Sequence, residues 1–377
     1  MSIHIALPHQ TRTHGRTARN IRHFTPNWFA ASMGTGAMSL VLGQFPSLPV
    51  ASMLGEGLFV LNGLLFFCLT LAYAAKWVCF PRDALRLFDH PVASMFLGCI
   101  PMAFATVING AVLYLVPKGL IAAEVVARFW WSDVLLALGI GLMVPFMMFT
   151  RQEHAIERMS AVWLLPVVAA EVVAASGALL LPHLSSGSEQ LSVLLASYVL
   201  WSCSVPLALG ILVILFLRLV LHKLPPVSMA ATSWLALGPL GTGALALILF
   251  SANGTPVLEA AGLGPLAPAM AGASLMGAFL LWGYGIWWFC VAVLVTIRHL
   301  REGLSFDLSW WGYTFPLGVF TLATLKLAGL FPVRGLEIFA DGLAVALAAI
   351  WLVVAGKTIH GAWSGKLFHD PSLGEGA

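Results

Sequence analysis

Residues 309–329 read SWWGYTFPLGVFTLATLKLAG, and this stretch sets the class of the whole chain. It is long and apolar enough to cross a bilayer as one helix. Two of its residues depart from the usual pattern of such a helix. Pro316 removes a backbone donor near one end, and Lys326 places a charge near the other. The stretch therefore predicts a membrane helix with a role beyond spanning the bilayer.

Phe315 lies directly before the proline and eleven residues before Lys326. Eleven residues make about three helical turns, so the two side chains share one helix face. We expect this face to look into an anion pathway that Phe315 closes by steric block and dewetting. Taken alone, a phenylalanine more commonly faces lipid or core, and a lysine near a helix end more commonly snorkels to the interface. The residues leave these alternatives open.

The composition is that of an integral membrane protein. Hydrophobic residues make up 60% of the chain and charged residues 9%, whereas a soluble domain carries about 25% charged residues. The alternating ten-residue segments of a membrane β-barrel do not occur. We therefore predict an all-α integral membrane protein and expect it in the cell membrane. The polar first 25 residues lack the pattern of a signal peptide and are expected to form a cytoplasmic tail.

Ten apolar spans follow from the hydropathy pattern. They are 27–45, 52–79, 92–115, 126–149, 160–181, 190–217, 230–251, 265–297, 309–330 and 336–358. With both termini placed in the cytoplasm, 15 of the 19 Lys and Arg residues fall on the inner side, as the positive-inside rule requires. The predicted organisation is a cytoplasmic tail at 1–25, a ten-helix transmembrane domain at 26–360 and a second cytoplasmic tail at 361–377.

The odd-numbered spans recur at similar spacing, which predicts five helical hairpins. Residues 33–42, MGTGAMSLVL, match residues 240–249, LGTGALALIL, at six of ten positions. Residues 234–241, WLALGPLG, align with residues 311–318, WGYTFPLG, and this sets Phe315 opposite Gly238. Small residues and helix breaks are tolerated where backbone lines a cavity or meets another helix. We therefore predict a quasi-five-fold arrangement of the odd helices around a central pore, with the even helices outside.

The odd spans also carry the small, kinking and charged residues that we predict to line the substrate pathway. Close helix packing is the alternative for the glycines, and a protonated carboxyl, a hydrogen bond or a proton relay are the alternatives for Glu171. The predicted pathway residues are Gly34, Thr35, Gly36, Ser39, Pro101, Asn109, Pro166, Glu171, Gly238, Gly241, Thr242, Gly243, Pro316 and Lys326.

No motif predicts a catalytic residue, a cofactor or a metal site. All 11 histidines lie in tails, loops or span ends, which argues against a membrane haem protein. Neither GxxxxGK[ST] nor HExxH occurs, and no basic tract suits nucleic acid. The five cysteines show no CxxC spacing and are expected to be buried free thiols. We expect a protein that is not an enzyme; the alternative is a membrane-embedded redox or enzymatic subunit, or an accessory resistance protein.

Five segments resemble the tellurite-resistance/dicarboxylate transporter family. They are NWFAASMGTGAMSL at 27–40, HPVASMFLG at 90–98, WLLPVVAAEVVAASG at 163–177, WLALGPLGTGA at 234–244 and SWWGYTFPLGVFTLATLKLA at 309–328. The resemblance covers most of residues 24–360 and is nearest to the malic acid permeases and sulfite efflux pumps. It implies ten helices as five hairpins around a pore, a homotrimer with one pore per subunit, and a gating phenylalanine on the ninth helix, here Phe315.

The resemblance implies transport of a small anion, either a C4-dicarboxylate such as malate or sulfite. Export is expected, because a negative cytoplasm drives anions outward, whereas proton symport through Glu171 would permit uptake. Two departures leave the substrate open: Thr242 stands where the sulfite pumps have Gln, and Lys326 stands where they tend to have an acidic residue. The expected partners are small anions, membrane lipid and two further copies of the chain, with no nucleic acid.

Overall fold

The structure is a computed structural model that describes residues 10–373. Over this range the chain forms twelve α-helices joined by loops and short 3-10 or π turns, without a β-strand. The helices are α1 (Gln10–Arg22), α2 (Phe29–Leu42), α3 (Pro49–Cys79), α4 (Pro81–Arg86), α5 (Cys99–Gly110), α6 (Ala123–Thr150), α7 (Leu165–Leu180), α8 (Gly187–His222), α9 (Leu237–Ala260), α10 (Ala267–Glu302), α11 (Phe315–Leu330) and α12 (Arg334–Ser364). The predicted all-α class is confirmed.

Within the described range, nine helical segments are long and apolar enough to cross a membrane. The first predicted span, 27–45, is instead a 3-10 turn followed by the 14 residues of α2. At 1.5 Å per residue α2 is about 21 Å long, which is short of the roughly 30 Å hydrocarbon core of a bilayer. Almost every residue of α2 is buried, so neighbouring helices enclose it. The chain is a multi-pass membrane protein, and the count of ten spanning helices stays a prediction.

Enclosed and exposed helices alternate along the chain. The four long segments that contain α5, α7, α9 and α11 are 61% to 94% buried, whereas those of α3, α6, α8, α10 and α12 are 17% to 33% buried. The exposed faces of the second group carry many large apolar side chains, which suit a lipid environment. We call α2, α5, α7, α9 and α11 the inner helices and the other five long helices the outer helices.

The inner helices form a closed ring. Along the chain α2 contacts α5, α5 contacts α7, α7 contacts α9 and α9 contacts α11, and α11 returns to contact α2. Pro166 and Pro316 lie in the first turns of α7 and α11, where a missing backbone donor costs nothing. The prolines therefore mark where these helices start, each after a 3-10 turn. The quasi-five-fold symmetry and the pore stay predictions.

The cysteines differ from the expectation of buried thiols. All five are free and Cys99 is buried, but Cys68, Cys79, Cys203 and Cys290 are exposed. The expectation was wrong for these four because they lie on outer helices, on faces that turn away from the ring. A thiol behaves as a small apolar group, so such a face accommodates it.

The segment after α12 folds back onto the start of the chain. Lys76 Nζ lies 2.5 Å from Asp370 Oδ2, with both side chains almost fully buried. Lys76 also donates to the carbonyl oxygen of Phe24 at 2.8 Å. Beside this pair the ring of Phe368 stacks on that of Trp28, with centroids 5.0 Å apart. These contacts tie the last described residues to the end of α3 and to the turn that precedes α2.

Candidate functional site

A narrow cavity of about 40 Å³ lies where the inner helices begin. All five inner helices, or the turns that precede them, contribute to its wall. We call it the helix-start cavity, and its lining includes Met33, Met102, Val168, Gly238, Phe315 and Pro316. The wall is mostly aliphatic, aromatic and thioether, and so narrow an apolar space is of the kind that closes to ions by dewetting.

Phe315 and Gly238 share this cavity. Phe315 is the first residue of α11 and only 4% exposed. A Cβ built on Gly238 would meet a single neighbour, Val168 Cγ1, at 3.9 Å, which is ordinary van der Waals contact. Gly238 therefore adjoins open space in the same cavity as the phenylalanine. The internal sequence alignment paired two positions that line one space.

A second cavity of about 420 Å³ lies at the other end of the ring. Its lining comes from the later turns of α7, α9 and α11, from the turn Leu181–His183 that follows α7, and from Gln44, which lies two residues after α2. We call it the helix-end cavity, and its polar lining residues are Gln44, His183, Asn253 and Lys326. None of the residues that line it carries a carboxylate. Lys326 and Phe315 thus line opposite cavities, about 16 Å apart along α11 at 1.5 Å per residue.

The two glycines predicted in α2 lie against neighbouring elements. A Cβ on Gly34 would collide with Thr314 and Trp311, in and beside the turn before α11. A Cβ on Gly36 would collide with Thr106 of α5. These contacts support a packing role, since glycine lets helix backbones approach closely.

The glycines of α9 are of two kinds, because two pack against neighbouring helices and one adjoins a cavity. A Cβ on Gly241 would lie 2.7 Å from the backbone nitrogen of Phe320 in α11, and one on Gly243 would lie 2.9 Å from Leu281 Cδ1 in α10. Gly238, three residues before Gly241, has open space where its side chain would be. Of these three glycines only Gly238 lines either cavity.

This contrast gives a matched pair of variants. Gly241→Ala is expected to lower the free energy of unfolding by about 1–3 kcal/mol, because backbone atoms of Phe320 cannot rotate away from the new methyl group. Gly238→Ala is expected to leave stability unchanged or slightly raised, since alanine is the better helix former. Thermal unfolding of both proteins in detergent measures the difference. Equal changes in Tm for the two variants would show that Gly241 and Gly238 do not differ as packing and cavity positions.

Two predicted polar residues of α2 bond to outer helices. Thr35 Oγ1 accepts a hydrogen bond from the indole of Trp351 in α12 at 3.2 Å. Ser39 Oγ donates to the carbonyl oxygen of Gly55 in α3 at 2.7 Å. Both side chains therefore help to fix α2 between its outer neighbours.

Glu171 is completely buried in α7 and turns toward outer helix α8. Its Oε2 accepts a hydrogen bond from Ser204 Oγ at 3.2 Å, and its Oε1 has no partner among the described residues. Asn109 Oδ1 and Thr242 Oγ1 are also buried and without a partner in that part of the chain. None of these three residues lines the two cavities. Pro101 and Pro166 are buried near the starts of α5 and α7.

The structure adds residues that the sequence patterns did not single out. Met33, Met102 and Val168 line the helix-start cavity, and His183 and Asn253 line the helix-end cavity. The aliphatic residues carry no signal, because apolar side chains fill every inner helix. His183 does carry a sequence signal, because it lies two residues after the odd span 160–181, at the same end of the ring as Lys326.

Comparison with known proteins gives consistent matches over almost the whole chain. Residues 23–359 match the family described as SLAC1, voltage-dependent anion channel. A sulfite efflux pump of Arthroderma otae is 37% identical over 355 residues, which covers 92% of this chain and 93% of the relative. An uncharacterized transporter of Methanocaldococcus jannaschii is 31% identical over 352 residues, covering 93% and 98%. The malic acid transport protein of Schizosaccharomyces pombe is 21% identical over 354 residues, covering 90% and 79%.

Proposed function

Because the chain belongs to the SLAC1 voltage-dependent anion channel family, we propose that it carries small anions across the membrane along the axis of the inner helix ring. Its relatives include proteins named for sulfite efflux and for malic acid transport, so the resemblance first drawn from the motifs is confirmed. The observation that carries the proposal is the pair of cavities at opposite ends of the ring, with Phe315 in one and Lys326 in the other.

Sulfite is the substrate we propose first. The named sulfite efflux pump is 37% identical to the chain, against 21% for the named malic acid transport protein. Malate is the second candidate, because the helix-end cavity, at about 420 Å³, also has room for a C4-dicarboxylate. Both are small anions with oxygen acceptors, and the Lys326 ammonium suits either.

The direction we propose is export. Placing both termini in the cytoplasm puts the helix-start cavity at the inner surface and the helix-end cavity at the outer surface. A membrane potential of 100 mV, negative inside, favours exit of one negative charge by about 2.3 kcal/mol. No energy source beyond the potential and the anion gradient is then needed. The cell membrane as location and a homotrimer as assembly complete the proposal.

Phe315 is the gate in this mechanism. It lines the narrow apolar cavity where α11 begins, and Gly238, which also lines that cavity, has open space beside it. An anion that enters there must displace the ring and keep enough water or polar contact to offset desolvation. At the other end of the ring, Lys326 attracts the anion and lowers the cost of crossing the last turns of α11.

Flux in reconstituted vesicles tests the proposal. Proteoliposomes loaded with sulfite, malate or an uncharged sugar, with a potassium gradient and valinomycin to set the potential, are expected to release both anions and to retain the sugar. Efflux should rise as the interior becomes more negative, and sulfite should leave faster than malate. Vesicles without protein give the leak rate. Anion release no faster than that leak, at either sign of potential, would exclude transport by the isolated chain.

A further inference from the structure

The helix-end cavity contains two basic side chains that no other group in the described part of the chain engages. Lys326 and His183 both line it, and neither side chain makes a hydrogen bond or an ion pair with the described residues. Each of the two amides of the lining already donates one hydrogen bond to the backbone. Asn253 Nδ2 donates to the Ala178 carbonyl oxygen at 2.9 Å, and Gln44 Nε2 donates to that of Leu40 at 3.1 Å.

The charges near His183 favour a cation-lined cavity. The turn Leu181–His183 packs against α7, α8 and α9. Of the nearby carboxylates, Glu124 accepts a hydrogen bond from Ser185 at 2.6 Å, and Glu171 accepts one from Ser204. Glu189 and Glu259 lie at the start of α8 and near the end of α9. None of these four carboxylates lines the cavity. Among the α11 residues that line the cavity, the one charged side chain is that of Lys326.

A simpler role for these two residues is to complement the negative ends of α7 and α11. That role predicts a gain in stability but no saturable binding of an anion. A cavity of about 420 Å³ that is lined by one ammonium, one imidazole and no carboxylate predicts saturable anion binding in addition to that stability. The Coulomb attraction to the Lys326 ammonium is about twice as large for a doubly charged anion as for a singly charged one.

We infer that the helix-end cavity binds small oxyanions through Lys326 and His183, and that it prefers doubly charged anions to singly charged ones. The inference rests on the proposed anion pathway and adds a recruitment site with a charge preference at its mouth. Only inner helices, their end turns and Gln44 line the cavity, so the occupant is an anion from solution and not the headgroup of a lipid on the outer surface.

Sulfate and nitrate are suitable probes, because neither changes its charge between about pH 6 and pH 8. Binding to the purified full chain in a neutral detergent is measured by calorimetry at constant ionic strength. At about pH 7 sulfate is expected to bind about tenfold more tightly than nitrate, because sulfate brings twice the charge into the same cavity.

Three variants separate the contributions. Lys326→Gln is expected to weaken sulfate binding by about tenfold. His183→Gln is expected to weaken it by a smaller factor of about threefold, since the imidazole is exposed and solvent screens its interactions. Arg334→Gln, an exposed charge at the same end of the molecule and outside the cavity, is the control for the general field and is expected to bind as the wild type does.

Several results would overturn the site. They are an absence of saturable sulfate binding, an equal loss in Lys326→Gln and Arg334→Gln, and an unchanged sulfate affinity in His183→Gln. Competition by added phosphatidylglycerol would assign the cavity to a lipid headgroup and would equally overturn it. Binding does not require transport, so vesicles that show no flux while sulfate binds through Lys326 would refute the proposed function and leave the site standing. Flux with unaltered binding in Lys326→Gln would do the reverse.

Discussion

Phe315→Ala is expected to raise anion flux through reconstituted protein by about 10- to 100-fold, because the ring is one of the bulky groups that line the helix-start cavity and alanine widens it. Such an increase corresponds to a barrier lowered by about 1.4–2.7 kcal/mol. Flux is measured in proteoliposomes with matched protein content, with the potential clamped. Phe315→Leu should lie between the wild type and the alanine variant, since its side chain fills part of the same space.

The matched control is Phe320→Ala on the same helix. Phe320 is fully buried, but its ring stacks on Trp282 and Phe289 of outer helix α10, with centroids 6.5 Å and 6.4 Å away. Removing this ring is expected to cost about 3–5 kcal/mol of stability without raising flux per folded molecule. Unchanged flux in Phe315→Ala, or an equal rise in both variants, would show that the ring at the start of α11 is not a gate.

The second large effect is expected at the buried pair of Lys76 and Asp370. Asp370→Asn leaves the Lys76 ammonium buried without its counter-charge. Lys76→Met likewise leaves the Asp370 carboxylate buried without its counter-charge. Each change is expected to lower the free energy of unfolding by about 3–5 kcal/mol. The double variant Lys76→Met with Asp370→Leu is expected to recover most of that loss, because it removes both charges together.

Thermal unfolding in detergent, followed by circular dichroism, compares the four proteins. The partly exposed pair of Arg22 and Asp83, at 2.6 Å, provides a control nearby. Arg22→Gln there is expected to change stability by less than about 1 kcal/mol, since solvent screens an exposed pair. A double variant no more stable than the single variants would mean that the cost comes from lost packing around the tail and not from an unpaired charge.

The sequence predicted the fold class, and its internal alignment paired two residues that line the helix-start cavity. The all-α membrane class followed from composition and span length. The alignment of Phe315 with Gly238 followed from an internal repeat, and both residues line one cavity. A repeat carries this information because related helices place equivalent positions at the same depth and on the same side of a ring.

The orientation of the other candidate residues could not be predicted in this way. Gly241 and Gly243 are two residues apart and therefore lie on different faces of α9. Gly241 faces α11, whereas Gly243 faces α10. An inner helix such as α7 is buried on nearly every side. It therefore lacks the polar stripe that would distinguish the axis from a packing face. The same uniformity concealed the packing of Glu171 against Ser204.

The contact between α11 and α2 that closes the ring has a consequence for biosynthesis. The first and last inner helices are far apart in the chain, and the Lys76–Asp370 pair joins positions 294 residues apart. Contacts of such long range form late, and a membrane chain is synthesised from its N-terminus. A chain whose α11 has not yet emerged from the ribosome therefore has four inner helices in an open, C-shaped arrangement. An unfinished chain thus has no completed conduit through which anions could leak.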